Sequence, residues 1–165
     1  MTSRYRFILL GVLGFATGFS ALFGQASKKG AIAYPTGYRH WTHVKSMLIY
    51  SKENALFEKF GGLHNVYVND IGWPSLQKGR AYPDGSMFVF ELFDMRTFQG
   101  TIEARGRKFL AVMKKNSKLY PGTGGWGFEV FQGYQATGSL KDTKQCFDCH
   151  SSQKPRDYVY SDYVE

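Results

Sequence analysis

The sequence predicts a mainly β (α+β) fold, in which an antiparallel β-sheet is accompanied by short helices. Segments with alternating or aromatic-rich residues recur along the chain between turn signals, and no long helical pattern separates them. The chain has 165 residues, of which 43% are hydrophobic and 17% aromatic. This composition is typical of one globular domain and excludes a disordered, collagen-like or disulfide-dense chain.

The sequence of the first half of the domain predicts two strands and one short helix. Residues 38–50 predict a helical turn that runs into a strand, and the alternating residues 63–68 predict a second strand. Pro74 and Gly79 bracket a short helix. The Tyr-Pro-Asp-Gly sequence at 82–85 predicts a turn.

Three further strands and a C-terminal helix complete the expected fold. Residues 86–93 form the clearest strand pattern of the chain, and residues 108–114 alternate in the same way. The glycine-rich residues 122–125 predict a flexible turn before a last strand at 126–131. Residues 143–151 then predict a short helix, so we expect one domain over residues 27–165.

Residues 1–26 predict an export signal. Arg4 and Arg6 precede an apolar run over residues 7–23, and small residues follow at 24 and 26. An uncleaved membrane anchor is the alternative, because this run of 17 residues is at the lower limit for crossing a bilayer. In both cases the domain is expected outside the cytoplasm, and it contacts a membrane only if the leader is uncleaved.

The net charge gives a weaker indication of partners. The formal charge of +8 falls to +6 without residues 1–26, which contain two arginines and no acidic residue. This excess fits either an anionic redox partner or a solubility feature. We expect no nucleic-acid partner.

Both cysteines of the chain lie in one motif, Cys146-Phe147-Asp148-Cys149-His150. A His directly after a Cys-x-x-Cys pair is the signature of covalent haem attachment. Two thiols on one helical turn can add to the two vinyl groups of haem, and the adjacent imidazole of His150 is then directed at the iron. The motif therefore predicts one covalent haem c, with Cys146 and Cys149 as thioether residues and His150 as the axial iron ligand.

Two other chemistries use a Cys-x-x-Cys pair. A zinc site needs two more ligands, which only His40, His43 and His64 could supply. A redox dithiol should follow a hydrophobic strand, whereas the polar residues 139–145 precede this pair. Haem is the better interpretation of the motif.

The sixth coordination position of the iron has no obvious ligand. Fifteen residues follow His150 and none of them is Met, so the position is filled from upstream or is open. Methionines in strands are usually core residues. The upstream candidates are Met47, Met87, Met95 and Met113.

The chain carries five motifs in a fixed order. They are Gly-Leu-His-Asn-Val-Tyr-Val-Asn at 62–69, Tyr-Pro-Asp-Gly-Ser at 82–86, Arg-Lys-Phe at 107–109, Gly-Gly-Trp-Gly-Phe at 124–128 and the Cys-x-x-Cys-His sequence. Together they resemble the cytochrome P-460 and cytochrome c′-beta family, from about Tyr34 onward. The resemblance implies an antiparallel β fold, a five-coordinate haem c bound through His150, a periplasmic location and usually a homodimer.

The residues that define the P-460 type are missing. In that type, a lysine cross-linked to haem would lie at Phe90 and a distal carboxylate at about Ala111. Glu91 is close in sequence, but strand alternation is expected to point it away from the Phe88 and Phe90 face.

The c′-beta type instead covers the distal side of the haem with phenylalanines. Phe60, Phe88 and Phe90 are the candidates for this distal pocket, together with Ala111, although each could also be a plain core residue. An apolar distal side favours nitric oxide and carbon monoxide over oxygen. Arg105 and Arg107 are either polar distal groups or solvated loop charges.

The sequence therefore predicts a haem protein that binds nitric oxide or a similar diatomic gas, with a possible redox role and redox protein partner. The alternatives are an enzyme that oxidises hydroxylamine in the way of cytochrome P-460, and a plain electron-transfer cytochrome. The missing lysine at Phe90 argues against the enzyme. The missing downstream Met argues against the electron carrier.

Overall fold

The computed structural model describes residues 31–163, which form one five-stranded antiparallel sheet. Each strand pairs with its predecessor in the chain, in the order β1-β2-β3-β4-β5. The expected mainly β, antiparallel fold is confirmed. The strands are β1 (Thr42–Ile49), β2 (Gly62–Val68), β3 (Met87–Phe98), β4 (Thr101–Lys115) and β5 (Trp126–Gln132).

Short helices connect and follow the strands. The α-helices are α1 (Phe57–Phe60), α2 (Trp73–Lys78) and α3 (Lys144–His150). Single turns of 3₁₀-helix occur at Tyr38–His40 and Pro121–Thr123, and a longer one, Ser151–Arg156, follows α3 directly. None of the helices in residues 31–163 is long and apolar enough to cross a membrane. The predicted leader at residues 1–26 lies outside the described residues.

The two faces of the sheet have separate apolar cores. On the front face, the register places Val68, Phe88, Met113 and Phe128 side by side on neighbouring strands, and residues of α3 and the segment after it pack against them. The rear face carries a second buried core, which residues of the segment at 32–41 cover. Its members are Ile32, Tyr38, Val89, Leu110, Val112 and Phe131.

A buried carboxylate is the centre of a polar network on the rear face. Glu91 is 1% exposed and accepts hydrogen bonds from the Tyr38 hydroxyl, from Arg39 at 2.5 Å and from Arg107 at 3.3 Å. Burial, followed by the bond to Glu91, raises the pKa of Tyr38. The expectation that Glu91 points away from the Phe88 and Phe90 face is confirmed.

Arg107 is neither a distal group nor a solvated loop charge. It is 6% exposed and donates to the Tyr34 and Tyr38 hydroxyls at 3.0 Å each and to the Gly133 carbonyl at 2.6 Å. A buried guanidinium needs a carboxylate and several acceptors, and Glu91 with the two tyrosines supplies them. Arg105, in contrast, is exposed.

Strands β3 and β4 are longer than the sequence predicts, because residues 94–98 and 101–107 also form strand. Most of these residues are exposed and five of them are charged, so they lack the apolar alternation that marks a half-buried strand. Gln99 and Gly100 have φ values of 46° and 80° and form the two-residue turn between the strands, a conformation typical of tight hairpins.

Candidate functional site

Helix α3 presents the two thiols of the Cys-x-x-Cys-His motif one turn apart. Both cysteines are free. Cys146 is half-buried and packs against the front-face core, whereas Cys149 is exposed. Burial raises the pKa of the Cys146 thiol. An exposed i,i+4 ion pair between Lys144 and Asp148 at 2.6 Å supports the helix.

The imidazole of His150 is held in one tautomer. Its Nδ1 lies 2.7 Å from the carbonyl oxygen of Tyr158, and because a carbonyl can only accept, Nδ1 carries the proton. The lone pair of the neutral ring is then on Nε2. Burial lowers the pKa of His150, partly offset by the bond to Tyr158, which favours the neutral form.

These features fit a haem iron ligand. Histidines that bind metals commonly donate their second ring nitrogen to a carbonyl or carboxylate, which fixes the ring and increases its basicity. The His150 ring is further fixed by Phe128 and Tyr160, whose ring centroids each lie 5.2 Å from it. With two free thiols on the preceding turn, the residues present fit a covalently bound haem c.

The carbonyl that holds His150 belongs to a strained loop. Asp157 and Tyr158 have φ values of 49° and 68°, a left-handed conformation that Asp tolerates and an aromatic residue rarely adopts. Gly124 makes room for this loop, because a Cβ added there would lie 2.2 Å from the Tyr158 ring. The Gly-Gly-Trp motif at 124–126 therefore has a structural role next to the axial histidine.

The Asp157 carboxylate fixes the loop to the sheet. It accepts hydrogen bonds from the Lys115 ammonium at 2.7 and 2.9 Å, from the Tyr82 backbone N–H at 2.8 Å and from Trp126 Nε1 at 3.4 Å. The side chains of Lys115 and Asp157 are only 11% and 14% exposed. Four donor contacts on one largely buried carboxylate can stabilise a backbone conformation that is unfavourable by itself.

An aromatic cluster occupies another part of the front face. The Phe90 ring centroid lies 5.9 Å from that of Phe60 and 6.0 Å from that of Phe109, and Phe60 and Phe109 are 6.2 Å apart. Ala111 is opposite Phe90 on the neighbouring strand. The structure thus brings together three of the four distal-pocket candidates, Phe60, Phe90 and Ala111.

The remaining candidate, Phe88, lies elsewhere on the same face. Its ring packs against Tyr82 at 5.2 Å and Trp126 at 6.2 Å, and it is 5% exposed. Strand alternation places Phe88 and Phe90 on one face but in different rows of the sheet. Phe88 therefore lies in the core row with Met113 and Phe128.

Two residues of the aromatic cluster were missed by sequence reasoning. Phe109 shares a strand face with Ala111, so alternation alone could have placed it here. His64 is 1% exposed, its ring centroid lies 4.8 Å from that of Phe90, and its Nε2 donates to the Phe60 carbonyl. Its Nδ1 has no hydrogen-bond partner among the described residues.

The candidate methionine ligands are spread over the molecule. Met47 is 45% exposed on the edge strand, Met87 packs on the rear face, and Met95 lies in the extended part of β3. Of the four, Met113 alone belongs to the front-face core, where it is paired with Phe128 rather than with the aromatic cluster. Within residues 31–163, no three His, Cys, Asp or Glu side chains come together as a metal site.

Fold and site together define a class: a small antiparallel β-sheet protein in which helix α3 holds a Cys-x-x-Cys-His motif against one face of the sheet. The sequence model of the family described as Cytochrome P460 matches residues 35–161. The chain therefore belongs to the cytochrome P460 family, which confirms the resemblance and implies a haem cofactor. Comparison with curated proteins found no match to this chain.

Proposed function

We propose that this protein is a periplasmic mono-haem c-type cytochrome that binds nitric oxide or a similar diatomic gas. Cys146 and Cys149 would hold the haem through thioether bonds, and Nε2 of His150 would bind the iron. The bound haem supplies an iron coordination position that can accept a neutral diatomic ligand. The predicted leader at residues 1–26 supports the periplasmic location, the family resemblance supports a homodimer, and the excess positive charge supports a redox protein partner.

The aromatic cluster is the observation that carries this function. Phe60, Phe90 and Phe109 form a continuous apolar surface, and position 90, where the P-460 type has its cross-linking lysine, is part of it. Ala111 replaces the distal carboxylate of that type. A ligand bound against these side chains would meet no cation or carboxylate from them, which suits an uncharged diatomic gas.

One observation favours the enzymatic alternative, the oxidation of hydroxylamine. Burial lowers the pKa of His64, the backbone bond to Phe60 partly offsets this, and the Lys108 charge lowers the pKa slightly further, which favours the neutral ring. Because Nε2 donates to Phe60, the unpartnered Nδ1 carries a lone pair. This nitrogen is a buried base beside Phe90, and proton removal from an N-hydroxyl group needs such a base.

Optical spectroscopy of the haem-loaded protein distinguishes these functions. A ferrous high-spin Soret band that shifts with carbon monoxide and with nitric oxide is the expected result. A low-spin, six-coordinate spectrum that is indifferent to both gases would contradict gas binding and indicate an electron carrier. A red-shifted spectrum of a cross-linked haem, together with hydroxylamine turnover, would establish the enzyme instead.

A matched pair of variants tests the role of the aromatic cluster. Phe90→Leu should change the rates of gas association and dissociation, because it removes the central ring of the aromatic cluster. Phe131→Leu makes the same chemical change on the rear face, where Phe131 is 1% exposed, and should leave those rates unchanged. Equal effects of the two variants would show that the cluster acts only through stability.

A further inference from the structure

The chain returns past the Cys-x-x-Cys-His motif after helix α3. Residues 158–161, here called the return segment, contact His150 and Cys149 in two different ways. The contact with His150 comes from the backbone carbonyl of Tyr158, which any residue at that position could supply. The contact with Cys149 comes from the side chain of Tyr160, so there the kind of residue matters.

Burial does not explain an aromatic residue at position 160. The residues on either side of it are 3% and 8% exposed, whereas Tyr160 is 43% exposed. Its ring lies edge-on to the His150 imidazole, with the centroids 5.2 Å apart. Its hydroxyl oxygen lies 3.5 Å from Cys149 Sγ, 2.8 Å from the Cys149 carbonyl oxygen and 2.9 Å from Ser152 Oγ. One side chain therefore touches both a sulfur and the imidazole of the proposed haem-attachment site.

The hydroxyl of Tyr160 has one proton and three acceptors within reach. Cys149 is a free thiol in the structure, and its S–H can donate to the Tyr160 oxygen while Tyr160 donates to the Cys149 carbonyl. A thioether sulfur has no proton, so it can only accept a hydrogen bond. After haem attachment, the contact between Cys149 Sγ and Tyr160 is favourable only when the Tyr160 proton points at the sulfur.

Ser152 makes this change of direction possible. Its hydroxyl already donates to the Cys149 carbonyl at 3.0 Å, so that carbonyl keeps a side-chain donor when the Tyr160 proton turns away. Such a donor is needed because the last carbonyl groups of an α-helix have no partner within the helix. Exchanging one donor for the other leaves no polar group unpaired, so the cost of an unmade hydrogen bond is avoided.

We propose that Tyr160 donates a hydrogen bond to the Cys149 thioether sulfur in the haem-loaded protein, and that this bond raises the reduction potential of the haem. The positive end of the O–H dipole would face the sulfur, which favours the ferrous haem because it carries one more electron. Hydrogen bonding around a haem or around a metal-bound sulfur is one of the ways in which a protein sets a reduction potential. The proposal rests on the thioether attachment in the proposed function and does not depend on gas binding.

Redox titration of the haem-loaded Tyr160→Phe variant tests the proposal. Phe keeps the ring against His150 and removes only the hydroxyl. Loss of a weak hydrogen bond should lower the equilibrium constant of haem reduction roughly threefold, which lowers the midpoint potential by about 28 mV for a one-electron couple. The control is Tyr163→Phe, because this exposed ring packs against Trp73 and should leave the potential unchanged. The iron–imidazole stretching frequency should match the wild type in both variants, since the bond from His150 to Tyr158 is retained.

The variant Ser152→Ala tests the direction of the Tyr160 hydrogen bond. Without the Ser152 hydroxyl, the Tyr160 proton should turn back to the Cys149 carbonyl, which then has no other side-chain donor among the described residues. The midpoint potential should therefore fall towards that of Tyr160→Phe. Adding Tyr160→Phe to Ser152→Ala should then change the potential less than Tyr160→Phe changes it in the wild type.

Three results would overturn the proposal. They are a Tyr160→Phe potential equal to or above that of the wild type, an equal shift in Tyr163→Phe, and a Tyr160→Phe shift that is the same with and without Ser152. Each of these results leaves haem attachment and gas binding standing, provided that the wild type retains its haem in acid acetone and its spectrum shifts with carbon monoxide. Release of the haem from the wild type in acid acetone would instead remove the thioether bonds, and with them both this proposal and the proposed attachment.

Discussion

Asp157 should control the position of His150, the proposed iron ligand, although it does not touch that residue. Its carboxylate holds the loop whose Tyr158 carbonyl accepts the proton of His150 Nδ1. In Asp157→Ala, the Lys115 ammonium, the Trp126 indole and the Tyr82 amide lose their shared acceptor. We expect the loop to relax out of its left-handed conformation and the Tyr158 carbonyl to move away from the imidazole.

The size of the effect follows from two opposing contributions. Removing one partner of a buried ion pair costs about 3–5 kcal/mol, and the small remaining exposure of Lys115 and Asp157 favours the lower end. Relaxing a residue from a sparsely populated backbone conformation returns roughly 1–3 kcal/mol. With about 3 kcal/mol lost with the ion pair and about 2 kcal/mol recovered by the relaxation, the free energy of unfolding should fall by about 1 kcal/mol. Asp157→Asn should lower the free energy of unfolding less than Asp157→Ala does, because Asn also tolerates the left-handed region and keeps one acceptor oxygen.

Two measurements on the haem-loaded variants test this reasoning. Guanidinium unfolding gives the loss of stability, and resonance Raman spectroscopy of the ferrous form gives the iron–imidazole stretching frequency, which should fall when the hydrogen bond to Nδ1 is lost. Asp162→Ala is the control, because it removes the same charge from the same segment but breaks only the exposed pair with Arg156. An unchanged iron–imidazole band in Asp157→Ala would refute the positioning role.

Three other predictions concern attachment, pH and the rear face. Replacing both Cys146 and Cys149 by Ala should release the haem into acid acetone, and retention of the haem would contradict the thioether bonds. Because burial lowers the pKa of His64, its contribution to stability is complete above the unfolded value of about 6.5 and is lost as the pH falls towards the folded value. Urea unfolding between about pH 7 and 5 should show that this group lowers the free energy of unfolding by at most about 1.4 kcal/mol per pH unit. The pH dependence of stability should be weaker in His64→Gln. Equal slopes of stability against pH in the wild type and the variant would exclude His64 as the source. Glu91→Gln should lower the free energy of unfolding by about 3 kcal/mol, because it leaves Arg107 buried without its counter-charge. Carbon monoxide binding should stay unchanged in this variant. A shifted carbon monoxide spectrum would mean that the rear face reaches the haem.

Sequence reasoning predicted the elements whose burial pattern is regular. Alternating residues 63–68 are strand β2, and the helix expected at 143–151 is α3 at Lys144–His150. It failed where burial is absent or unusual. The end of the β3–β4 hairpin at residues 94–106 has no buried face, and the burial of Arg107 depends on Glu91 and on Tyr34 and Tyr38 of the N-terminal segment, which no local pattern reveals.

The candidate site was predicted to a similar extent. Alternation placed Phe88 and Phe90 on one face, but only the register of the sheet separates Phe88 from the cluster of Phe90 and Phe60. The roles of Cys146, Cys149 and His150 stay predictions until haem is measured. The Asp157 and Tyr158 loop could not be foreseen, because two consecutive non-glycine residues with positive φ have no sequence signal.

The order of the sheet has a consequence for the assembly of the holoprotein. Since every strand pairs with its predecessor, pairing needs only short loop closures, and such local contacts form rapidly. Helix α3 follows all five strands in the chain, so the sheet face that carries Phe90 and Phe128 can be complete before the proposed haem-attachment segment docks on it. The sheet should therefore form without cofactor, and haem should select the final position of one short segment rather than organise the fold.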